Sequence, residues 1–151
     1  MDKETRLRQD LLNEVKKRGL VVEQKSEEGG ISNMISKLLH SRSQTHIFHW
    51  QTNSQSSFAE HMALGGYYEG IGDLLDGLVE SFQGKHGIIK GYKSENLESY
   101  ESAKQLISYF ENLNEVIETS RKSIKESYLQ NQIDTIQELI FSTLYKLKFL
   151  K

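Results

Sequence analysis

Along residues 103–124 the side chains Ala103, Leu106, Phe110, Leu113, Ile117, Ser120 and Ile124 return in steps of three and four. That period follows the 3.6 residues of a helical turn and predicts an amphipathic α-helix. Ile133, Ile136, Ile140, Leu144, Leu147 and Leu150 predict another, with a break at "LQNQ" (129–132) between the two. Upstream, Ile31, Ile35, Leu38, Thr45 and His49 share a narrow arc at about 100° per residue, predicting a helix from Ile31 to about Trp50. Arg42 falls in the same arc, against the apolar trend. "QTNSQSS" (51–57) reads as a turn, and Phe58, His61, Tyr68, Leu75, Val79 and Phe82 predict a helix over 57–82.

Five glycines (Gly65, Gly66, Gly70, Gly72, Gly77) lie inside that second helix, each costing roughly 1 kcal/mol relative to alanine. Either they break the helix, or, the preferred reading, a neighbour approaches the helix backbone closely at those positions. Residues 84–96 read as a connection long enough to cross the end of a bundle. Residues 1–30 form a separate N-terminal part: an amphipathic helix carrying Leu7, Leu11, Leu12 and Val15, then the polar linker "EQKSEEGG" (23–30). Residues 31–151 form the main unit. Four helices in two hairpins joined by one long crossover predict an all-α, ferritin-like four-helix bundle with an extra N-terminal helix.

Composition narrows the chemistry. The 151 residues hold 19 Lys+Arg against 21 Asp+Glu, no proline and no cysteine. The missing breakers agree with a helical chain, and the missing thiols remove disulfides, thiolate metal sites and thiol nucleophiles. No apolar run approaches the ~20 residues of a membrane span. A cytoplasmic protein is the expectation, with no membrane partner. Near-neutral charge argues against strong nucleic-acid binding, and residues 1–30, with seven basic and seven acidic residues, do not form a basic tail. The "KLKFLK" end suits a helix C-terminus better than a DNA patch.

No HExxH, no phosphate-binding GxxxxGK[ST] and no GxGxxG is present. No ExxH occurs either, which excludes a diiron site of the kind built inside one bundle. Among the five histidines, His49 and His61 flank the 51–57 turn, so an antiparallel hairpin brings them together. Glu69, Asp73, Asp76 and Glu80 form an acidic stripe on the same second helix. Asp76 lies 15 residues beyond His61, about 22 Å along the axis, too far for one ion to bridge. Folding the hairpin about residue 54 sets Asp76 and Glu80 opposite roughly Ser32 and Glu28, where no histidine stands. If these four groups form one site, two chains must assemble it by antiparallel two-fold pairing. Imidazole with carboxylate suits Fe, Mn or Zn.

These residues, "THIFHWQTNSQSSFAEH" and then "DGLVE", resemble the Dps family, mini-ferritins of the ferritin-like superfamily named as DNA-binding proteins from starved cells. The shared pattern is His49–Trp50, His61 twelve residues after the first histidine, then Asp76 and Glu80; it spans roughly residues 31–150. The resemblance implies a homo-oligomer, a hollow dodecamer built from two-fold dimers, that oxidises Fe(II), usually with peroxide, and stores the iron. It implies His49 and His61 as imidazole ligands, Asp76 and Glu80 as carboxylate ligands from the two-fold mate, and Trp50 as a nearby electron donor. DNA binding is a family trait that the charge pattern here does not support.

The chain departs from the family at Gly65, four residues after the second histidine, where the family carries an acidic ligand. Glu69, one turn further and about 6 Å along the axis, is the candidate replacement. The alternative expectation is a ferritin-like structural or interaction protein that keeps the oligomer but has lost ferroxidase turnover.

Overall fold

The computed structural model describes residues 2–18, 21–22 and 30–151. The chain is all-α in class. Helix α1 (Lys3–Lys17) precedes α2 (Ile31–Gln51), α3 (Phe58–His86), α4 (Ala103–Ser120) and α5 (Ser127–Phe149), with a 3-10 turn at Arg121–Ser123. Two short strands not anticipated from the sequence, β1 (Val21–Val22) and β2 (Ile88–Ile89), pair in parallel. The polar linker read at 23–30 lies, except for Gly30, outside the described residues. Among the described residues no helix is long and apolar enough to cross a membrane.

Helices α2 and α3 form one antiparallel hairpin. Gly65 faces His49, the Tyr68 ring stacks on His46, and Gly72 faces Arg42. The hairpin therefore folds about Ser57, not residue 54, and Asp76 and Glu80 fall opposite Leu38 and Met34. Ser57 caps α3: its Oγ accepts from the Glu60 N–H at 3.0 Å while Glu60 Oε2 accepts from the Ser57 N–H at 2.8 Å. Two orphan helix-end donors are thus satisfied reciprocally. Helix α3 runs on past the predicted Phe82 and stops at Gly87, whose φ of 94° favours glycine.

The five glycines do not break α3. A side chain at Gly70 would press on Leu139 of α5 at 3.3 Å, and one at Gly72 on the Arg42 guanidinium at 3.2 Å. Close approach is thus the reason for most of them, and Arg42, exposed at the edge of the apolar arc of α2, lays its guanidinium over Gly72. Gly66 differs: it is exposed, with nothing within 4 Å of where a Cβ would stand.

Helices α4 and α5 form the second antiparallel hairpin. The break expected at 129–132 lies instead at residues 121–126, and Leu129–Gln132 is helical. The reason is local: Gln130 Nε2 donates to the carbonyls of Arg121 and Ile124 at 2.9 and 2.7 Å, so a polar residue inside α5 caps the end of α4. The core between the hairpins holds Met34, Leu38, Phe48, Leu64, Tyr67, Phe110, Ile117 and Ile133, each nearly inaccessible. Burying a large apolar side chain of this kind contributes roughly 1.5–3 kcal/mol. The Tyr67 hydroxyl shares a 2.7 Å hydrogen bond with Ser41, and burial pushes its pKa well above the usual tyrosine range.

Residues 90–102 climb along α2 as an extended strap. Ser36 Oγ accepts from the Lys93 N–H (3.0 Å), and His40 Nε2–H donates to the Asn96 carbonyl (3.0 Å). Gln44 bonds both the N–H and the carbonyl of Glu98 (2.7 and 2.8 Å), and Gln51 Oε1 accepts from the Tyr100 N–H (2.6 Å). One polar side chain from nearly every turn of α2 thus holds the strap by its main chain, which explains why α2 buries Ser36 and Gln44.

A candidate metal site at the α2–α3 turn

The last turn of α2 and the first turns of α3 bring His49 and His61 into contact. Their rings stack with centroids 3.8 Å apart and planes 24° from parallel. Gly65 makes this possible: a Cβ there would lie 3.2 Å from His49 Cε1, tighter than ordinary contact. The space that a side chain at Gly65 would take is therefore filled by the His49 ring.

Hydrogen bonds fix which nitrogens remain available. His49 Nδ1 lies 2.9 Å from the His61 carbonyl oxygen, which only accepts, so Nδ1 carries the proton. Thr52 Oγ1 donates its one hydrogen to the His49 carbonyl at 2.8 Å. It must then accept from His61 Nδ1–H, 2.7 Å away. A neutral ring in either place carries its lone pair on Nε2, which has no hydrogen-bond partner among the described residues, the arrangement of metal-ligating imidazoles whose other nitrogen is tied to an oxygen. His40 shows the opposite case, since Nε2–H donates to Asn96 and Nδ1 accepts from Tyr109 O–H at 3.0 Å. His40 has no lone pair left.

The two histidines line an open cleft of about 730 Å³ with Phe58, Met62, Glu69, Lys146 and Leu150 among its walls. Glu69, the candidate replacement carboxylate, thus reaches the same cleft, and among the described residues no ion pair joins it to Arg42. Near-parallel rings do not aim two in-plane lone pairs at one point. The stack therefore offers one position per imidazole unless a ring turns.

Asp76 and Glu80 are exposed further along the same continuous helix, about 22 Å and more from His61 by helix rise. Among the described residues no group of three His, Asp or Glu side chains comes together in a single chain. Trp50 is 68% exposed and meets His46 with the rings tilted by 42° and centroids 4.1 Å apart. His46 stacks in turn on Tyr68 at 4.0 Å, and Tyr68 meets His49 edge-on at 5.3 Å. His46 also meets His49 directly, centroids 6.4 Å apart, so Trp50 reaches the histidine pair through His46. Phe58, counted in the apolar repeat of α3, is 74% exposed at the rim and not a core residue.

Thr52 and Tyr68 carry part of this geometry but were not singled out from the sequence as site residues. The only sequence signal for Thr52 is a hydroxyl three residues after His49 at a helix end, a common capping pattern without metal connotation.

The fold and site define an all-helical protein with a paired-imidazole cleft at a hairpin end. Residues 49–147, more than half of the chain, match a family of unknown function (DUF5856), and the chain belongs to that family. The match opens at His49 and spans His61, Gly65, Asp76 and Glu80, leaving α1 and most of α2 outside it. No curated protein and no solved structure matches the chain.

Proposed function

We propose that the chain is a Dps-like mini-ferritin, with the crossover-linked bundle of ferritin-like proteins. Copies pair two-fold, bind iron between them, oxidise Fe(II) with peroxide and store the product in a hollow oligomer. The observation that carries this reading is the His49–His61 pair, with no hydrogen bond to either Nε2 among the described residues, at the start of a helix that carries outward carboxylates about 22 Å further along. One chain supplies imidazoles at one end of α3 and carboxylates at the other. An antiparallel second copy completes the set, since a two-fold axis brings each end against the other.

The surface agrees with such pairing: Phe58 and Met62 in the cleft wall expose 74 and 54% of their surface, and Trp50, next to His49 in the chain, exposes 68%. The fit to a transition metal rests on the donors themselves, two neutral imidazoles and carboxylate oxygens. Iron is substrate here; Zn or Mn suits the same donors. Gly65 favours a second reading, an assembly that keeps its shape without turnover, because His49 occupies the space an acidic ligand would use.

The test is anaerobic Fe(II) loading followed by peroxide, with iron and protein followed together through size exclusion. Iron should co-elute with a large assembly and be lost in His61→Ala and in Asp76→Ala. An intact assembly that elutes free of iron would favour the second reading, and unchanged oxidation in both variants would remove the site assignment.

A further inference from the structure

Half of the histidine pair is set by main chain and half by a single hydroxyl. His49 is held by the His61 carbonyl, an acceptor no side-chain substitution removes. Among the described residues the one hydrogen bond to the His61 ring is with Thr52 Oγ1, whose hydrogen is already committed to the His49 carbonyl. Thr52 ends α2 with an extended backbone (φ −61°, ψ 139°), which turns the chain towards α3 while its side chain bonds back to the last turn. A neutral imidazole left to itself prefers the proton on Nε2, the tautomer that would hide the lone pair from the cleft.

We propose that Thr52 is a positioning residue of the candidate metal site: it holds His61 as the Nδ1–H tautomer and so leaves Nε2 open to a divalent cation. The inference rests on the metal reading above. The device is asymmetric, since the tautomer of His49 does not depend on Thr52 and that of His61 does. A hydroxyl that both donates and accepts is required, which serine retains and valine, of the same shape, lacks.

The experiment is ¹⁵N NMR of the histidine side chains in the full chain without metal, on the wild type, Thr52→Val and Thr52→Ser, followed by Co(II) titration of each. Both His49 and His61 should be Nδ1–H in the wild type and in Thr52→Ser. In Thr52→Val, His61 alone should shift towards Nε2–H, and Co(II) affinity should fall by about tenfold or more. An Nε2–H His61 in the wild type, or an unmoved His61 in Thr52→Val, would overturn the proposal while leaving Co(II) binding, and the metal reading, in place. Failure of the wild type to bind Co(II) at all would remove the metal reading and the role of Thr52 with it. Equal Co(II) affinity in all three proteins, with His61 shifted as expected, would overturn the role of Thr52 alone.

Discussion

The two helix hairpins close with turns of similar length and opposite chemistry. At the α4–α5 turn the side chains of Arg121, Gln130 and Gln137 are all engaged. Arg121 donates to Gln130 and Asp134, both at 2.7 Å, and to Gln137; the Gln137 amide donates to Asn114 and Glu118 at 2.8 and 2.6 Å. At the α2–α3 turn Thr52, His49 and His61 use one nitrogen of each ring and leave the other bare. A closed network of this kind specifies and stabilises a fold, whereas an open one presents unused valences at a cleft. Hydrogen-bond inventory therefore separates the two turns where residue type does not.

The largest effect should come from breaking the closed turn. Arg121→Ala removes charge-assisted bonds that hold α4 to α5, and urea unfolding should show a loss of about 2–3 kcal/mol. Its Co(II) affinity should match the wild type; a change there would mean that the two turns are not separate in function. Gly65→Ala should act the other way round. The added Cβ presses on His49, so Co(II) affinity should drop by about tenfold. Stability by thermal melting should change by less than about 1 kcal/mol, because the helical preference of alanine offsets the displaced ring.

Gly66→Ala sharpens the comparison with the smallest shift. With nothing near the added methyl, the single chain should gain up to about 1 kcal/mol. Loss of that gain in the assembled protein, measured by melting at low and high concentration, would show that a second copy approaches this face.

The helices of the second hairpin were legible because their apolar period is strong. Leu106, Phe110, Leu113 and Ile117, like Ile133, Ile136, Ile140 and Leu144, are buried as spaced. Helix α2 was harder to read, because Ser36, Ser41 and Gln44 are buried for hydrogen bonding and weaken the apolar count. The α4–α5 boundary was misplaced for a related reason: Gln130 looks like loop material until its capping role is seen. The encounter of His49 with His61 followed from their place around a turn. The identity of the bare nitrogen did not, since it depends on a carbonyl and a hydroxyl whose directions are three-dimensional facts. Gly65 read as a missing acid; the structure shows it as a space in use.

The strap over α2 has a consequence for how freely this protein can change. Ser36, His40, Gln44 and Gln51 grasp the N–H and C=O groups of residues 93, 96, 98 and 100. Those groups are the same in almost every amino acid, so the outward side chains of Lys93, Asn96 and Glu98 are left to drift, carry a label or accept a grafted epitope. Proline is the exception where an N–H is required, at residues 93, 98 and 100. Latitude belongs to those three positions of the strap, and the burden of keeping it in place falls chiefly on side chains of the helix beneath.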